Sequence, residues 1–183
     1  MAVESVSSIR SRINEKTIPI LSIESLRQSC LVNAPITADS SLRMCPGILM
    51  HEAPMRVRRM INSTYGITKY DPETNEPVAT CGFNIEDNIM IINNTPHGKA
   101  PRLFESKKVR RRFAKSYFRI EMMQVMVNMA KNLKLNGIKG FPVNERHGAV
   151  SEKMRRAVNE LFELFGFELI ADDKPYYFFD LIS

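Results

Sequence analysis

Apolar residues recur along this chain at two spacings, and these divide it into strands and helices. Residues 1–16 are polar and rich in serine, which predicts a flexible arm or a helix that docks on something else. Thr17–Leu21 is a short β-like run. Ser22 then offers an N-cap to a helix whose apolar positions are Ile23, Leu26, Cys30 and Leu31. Ala34–Pro54 holds three prolines and a glycine and reads mostly as loop. Met55–Met60 alternates weakly, as a strand or a helix end.

Tyr65–Tyr70 reads as a strand, Asp71–Glu76 as a turn with Pro72 early in it, and Pro77–Asn84 as the returning strand. A turn at Ile85–Asn88 and a strand at Ile89–Asn93 complete a β-meander. Thr95–Ser106 is a long connection into a basic loop. A helix follows at about Ser116–Leu133, with Phe118, Met122, Val125, Met126 and Met129 on one face and Asn136-Gly137 as its stop. Ile138–Val143 is an apolar strand. A second helix starts at Ser151, carries Met154, Ala157, Val158, Leu161, Phe162 and Phe165 inward, and ends at Gly166. Phe167–Ile170 and Tyr176–Leu181 form a terminal hairpin. The order predicts a mixed α/β class: a mostly antiparallel central sheet with one parallel crossover through the middle helix.

Charge sharpens this outline. The 183 residues carry a net charge of +6, with 44% hydrophobic residues, enough for a core. Residues 99–119 hold nine basic side chains (Lys99, Arg102, Lys107, Lys108, Arg110, Arg111, Arg112, Lys115, Arg119) against the single acid Glu105. Basicity so concentrated implies a local anion: a phosphorylated cofactor, nucleic acid or an acidic protein face. The same stretch opens the middle helix, whose first backbone N–H groups lack acceptors and whose dipole favours negative charge. Its duller reading is a solvated positive face. Sequence-specific DNA readout has no helix-turn-helix or zinc-finger spacing behind it. Cys30, Cys45 and Cys81 are too far apart for a metal knuckle or redox pair, and no metal site is expected. No apolar run approaches the ~20 residues that span a bilayer, and charges interrupt any signal-peptide core. A cytoplasmic location is expected, or a virion for a structural protein.

Two segments carry a family resemblance. Arg111-Arg112-Phe113-Ala114-Lys115-Ser116 resembles the pyrophosphate loop Q/R-x-x-G-x-G/A of the GCN5-related N-acetyltransferases (GNAT), with Arg111 first and Ala114 and Ser116 in place of glycines. The helix ending Phe162-Glu163-Leu164-Phe165-Gly166-Phe167 resembles that family's end motif. Its usual tyrosine acid is Phe162 here, without a proton to give, and its earlier asparagine is Arg155. The topological likeness covers residues 17–183 and the motif-level likeness about 77–169. It implies a single GNAT-like α/β domain after a 1–16 arm, with coenzyme A phosphates on Arg111–Ser116. Acetyl-CoA or another acyl-CoA would be the cofactor and an amine the substrate. A narrower resemblance, in element order and basic helix entry, is to GNAT-like internal virion proteins of short-tailed phages.

Candidate general bases are Glu86, His97 and Glu145, with Asp87 and His147 beside them, all in loops or turns near strand ends. Residues in such places are far more often solvated surface groups. Two functions remain: an acyl-CoA-dependent N-acyltransferase by direct transfer, or a non-catalytic phage virion or assembly protein that kept the fold. In the second, the arm and the basic entry are contact surfaces for protein partners, self-association or nonspecific nucleic-acid contact.

Overall fold

The computed structural model describes residues 5–47, 63–98, 104, 106–114, 116–142 and 152–182. In order these form α1 (Val6–Lys16), α2 (Ile23–Leu31), β1 (Leu42–Pro46), β2 (Tyr65–Tyr70), β3 (Pro77–Glu86) and β4 (Ile89–Gly98). They continue with α3 (Lys107–Ala114), α4 (Phe118–Asn132), β5 (Gly137–Gly140), α5 (Glu152–Leu164), β6 (Glu168–Ile170) and β7 (Tyr176–Asp180). The seven strands make one mixed sheet in the order β1-β2-β3-β4-β5-β7-β6. Only β4 and β5 run parallel; the other neighbours are antiparallel. No helix among the described residues is long and apolar enough to cross a membrane. The Met55–Met60 segment lies outside the described residues.

The meander follows its turn chemistry. Asp71 Oδ1 accepts from the amides of Glu73 and Thr74 and from the Thr74 hydroxyl, and closes the β2–β3 turn. Asp87 and Asn88 both have positive φ, 49° and 62°, the conformation that a two-residue hairpin turn needs. Asn88 also donates to Asn136 Oδ1 at 2.8 Å, which ties that turn to the start of β5.

Strand β4 runs on to Gly98 through residues read as connection, β5 ends at Gly140, and four further elements differ from the sequence expectation. β1 lies in the stretch read as loop. It is the edge strand, where Pro46 needs no ladder partner on its outer side, and Leu42 and Met44 are fully buried. Thr17–Leu21 is not a strand: the Thr17 amide and hydroxyl both donate back to Ile13 O and finish α1, leaving a single bridge to Thr37. The basic loop is a helix, α3. Ser106 Oγ accepts from the Val109 amide and starts it, and Val109 is buried beneath it. Finally, α4 stops before Asn136-Gly137. Lys134, at φ 55°, donates to Lys131 O, and Leu135 donates to Ala130 O, a Schellman closure made without glycine. The same closure ends α5 as expected, with Gly166 at φ 79° and Phe167 donating to Phe162 O.

Helix α4 is the centre of the core. Met122, Met123, Val125 and Met126 are fully buried, and the Cys81 thiol of β3 touches Met126 Sδ. A second, polar stripe on α4 receives α1. Arg10 Nε donates to Gln124 Oε1 at 2.7 Å, Asn128 donates to Asn14 and Thr17, and Arg12 faces Glu121. The N-terminal residues therefore dock as a helix, anchored by buried Ile9 and Ile13, on the chain's own central helix.

Candidate functional site

Parallel strands β4 and β5 part company halfway. Their pairing covers Ile89–Ile92 against Gly137–Gly140, after which β5 ends while β4 continues to Gly98 alongside β3. Register irregularities between Thr80 and Phe83 accompany the departure, as bulges re-aim a strand. The gap lies at the carboxyl ends of the parallel pair, where open α/β sheets take ligands. The front of α4 reaches the same end. A Cβ on Gly98 would meet the Phe113 ring at 2.5 Å and Phe118 at 3.3 Å. The Phe113 ring is tilted against Phe118 at 4.7 Å and against Phe104 at 5.3 Å, so aromatic side chains of this chain fill the part of the gap over Gly98.

Open volume lies beside that plug. A cavity of about 310 Å³ separates the front of α4 (Ser116–Ile120) from Ala157, Glu160, Leu161 and Leu164 of α5. Tyr117 at the N-cap makes no side-chain hydrogen bond to the first-turn amides. The cavity's one cation is Arg119 among the described residues. It is half-buried, its guanidinium lies 5.0 Å from the Phe118 ring centre, and its buried Nε has no hydrogen-bond partner. Burial pulls its pKa down from the usual arginine value, although it stays a cation. The Arg119 guanidinium, added to a positive helix end between largely apolar walls that also carry Glu160, suits one anionic group on a partly apolar ligand.

The six residues of the expected phosphate loop separate. Ser116 lines the cavity, with its hydroxyl given to Phe113 O at 2.8 Å. Phe113 belongs to the aromatic plug, Ala114 is exposed, and Lys115 lies outside the described residues. Arg111 is exposed on α3. Arg112 grips the β2–β3 turn: Nε and Nη2 donate to the two Asp71 oxygens at 2.9 and 2.6 Å, and Nη1 donates to Glu73 at 2.8 Å. That fork holds α3 against the sheet. A second cavity of about 220 Å³, lined in part by Lys69, Asp71, Arg112 and Ser116, lies on the other side of the α3–α4 junction.

The candidate bases also separate. Glu86 ends β3, exposed and accepting from Asn84 Nδ2. It pairs with Ile89, so it sits at the opposite end of β4 from Gly98, roughly 30 Å away at ~3.3 Å per strand residue. The His97 backbone pairs with Thr80 near the gap end of β4. Glu145 and His147 lie outside the described residues. Phe162 is fully buried against Gly140, Phe167 and Tyr177, and Arg155 pairs with Glu152 on its own helix. Sequence reasoning passed over Arg119 as a binding residue. The signal was there: it is the last cation of the basic run and stands in the first turn of the central helix.

The Arg112 fork has a consequence for acid stability. Its hydrogen bonds, with those of Thr74, pull the Asp71 pKa down to about 2. The folded value is below the ordinary ~3.9, so this contribution is complete above pH ~4 and is lost as pH falls towards ~2. Asp71→Asn is expected to lower Tm at neutral pH and to flatten the fall in Tm between those values. An unchanged acid profile in thermal melts would contradict the assignment.

No protein-family model, curated protein or solved structure matches this chain. Among the described residues no group of three or more histidine, cysteine or acidic side chains is placed to hold a metal.

Proposed function

We propose that this chain is a GNAT-like acyl-CoA-dependent N-acyltransferase that holds the carrier's phosphates at the front of α4. The observation that carries this reading is the coincidence of the parting β4–β5 pair with an uncapped helix front and the Arg119 side chain in the cavity lining. The first-turn amides and Arg119 would take the pyrophosphate, and the apolar α5 wall (Ala157, Leu161, Leu164) would lie against the pantetheine arm. In the reaction the amine nitrogen, once deprotonated, attacks the thioester carbon. The C–S bond breaks and the thiolate takes its proton from water, since Phe162 has none to give. Of the candidate bases among the described residues, His97 is the one at the gap end of β4.

Calorimetric titration with acetyl-CoA tests this. A saturable heat is expected, and Arg119→Glu should weaken binding by roughly 10- to 100-fold, the scale of charge-assisted hydrogen bonds of ~1.5–3 kcal/mol. No heat at millimolar ligand would end the reading.

Burial of Phe162 favours a second reading, a non-catalytic virion or assembly protein on the same scaffold, because the position that usually supplies the acid is built into the core. Release of free thiol on addition of an amine separates the two: the enzyme releases it and the scaffold does not.

A further inference from the structure

Helix α3 has five cations in eight residues, and the fold uses only two of them. Arg112 is held by Asp71 and Glu73, and Lys108 donates to Glu73 at 3.0 Å. Lys107, Arg110 and Arg111 are exposed, and none has an acid partner among the described residues. They stand at i, i+3 and i+4, so they share one outward face of the helix, opposite buried Val109. A recess of about 380 Å³ opens on this side, and its lining is Lys107, Lys108, Arg111 and Arg112.

We infer that the outer face of α3 docks on the phosphodiester backbone of nucleic acid, without sequence preference. Lys107 and Arg111, ~6 Å apart along the helix, share the recess and can hold one phosphate, and Arg110 outside it offers a contact to a neighbouring one. A protein partner would need an apolar anchor at the centre of its interface. This face has none, because Phe113 and Val109 point into the fold. Backbone phosphates need only cations, and base readout would need side chains that this face lacks. The surface is separate from the α4 cavity, whose lining includes none of these three residues.

The test is fluorescence anisotropy of the full chain with a random duplex of about 20 base pairs, between ~50 and ~200 mM salt. Wild type should bind at low salt and weaken steeply as salt rises. The triple variant K107E/R110E/R111E should lower the log–log salt slope by about 3, one phosphate contact per cation at ~0.9 each. It should keep the wild-type Tm and acetyl-CoA titration, since its side chains support neither the fold nor the cavity. No duplex binding by wild type, an unchanged slope in the variant, or preferential capture of poly-glutamate or inorganic phosphate would overturn the inference. A lost acetyl-CoA response with duplex binding intact would instead sink the α4 reading alone.

Discussion

Phe162→Ala should cost about 3–5 kcal/mol of stability and lower Tm by about 10 °C, at ~2–4 °C per kcal/mol for a chain of this size. Urea or thermal unfolding reads it directly. The ring is fully buried, stacked on Tyr177 at 4.9 Å and tilted against Phe167 at 5.1 Å. Its edge fills the place where Gly140 lacks a side chain: a Cβ there would lie 2.2 Å from Phe162 Cζ. Deletion leaves a void walled by two aromatic rings and a sheet backbone, none of which relaxes easily. The pairing makes a second, coupled expectation. Gly140→Ala overpacks the site and destabilises by about 1–3 kcal/mol, whereas in a Phe162→Leu background the same change costs less. Equal costs in both backgrounds would show that the glycine serves something other than this ring.

Glu121→Ala should cost about 3–5 kcal/mol, more than Lys69→Met, because removal of one member of a buried ion pair strands the other charge. The Glu121 side chain is 7% exposed and Lys69 13%, and the two are in direct hydrogen-bonded contact. Arg12 of α1 approaches the other Glu121 oxygen at 3.5 Å. Losing the acid therefore leaves two cations facing each other and loosens α1, while losing Lys69 leaves Glu121 its arginine. The double variant Lys69→Met/Glu121→Leu should recover much of the loss. If Lys69→Met is as damaging as Glu121→Ala in denaturant unfolding, Arg12 does not support the acid.

How far the fold could be read from sequence depended on whether a signal was local. The meander announced itself through alternation and through Asp71–Glu76 and Asp87-Asn88, whose side chains shape their own turns. Helix α5 carried an apolar face and Gly166. Helix α3 was hidden because cations masked its two inward residues, Val109 and Phe113, which are spaced i, i+4 behind the Ser106 cap. Strand β1 was hidden because Pro46 and Gly47 look like loop, and only its edge position makes the proline tolerable. In the site, the approach of a basic segment to the front of the central helix was legible. The far wall was not, since Ala157, Leu161 and Leu164 arrive from α5 some forty residues on. Nor could spacing reveal that Arg112 is already committed to Asp71, 41 residues earlier. The stripe Glu121, Gln124 and Asn128 on α4 was a signal for a docking helix, and α1 answers it.

In the proposed function the front of α4 is an anion seat for a phosphate-bearing carrier. Backbone-amide NMR during a coenzyme A titration tests it most directly. Saturating shifts should centre on Tyr117, Phe118, Arg119 and Ile120, with the Ala157–Leu164 wall following. Shifts confined to Lys107–Arg111, or no shifts at millimolar coenzyme A, would contradict it.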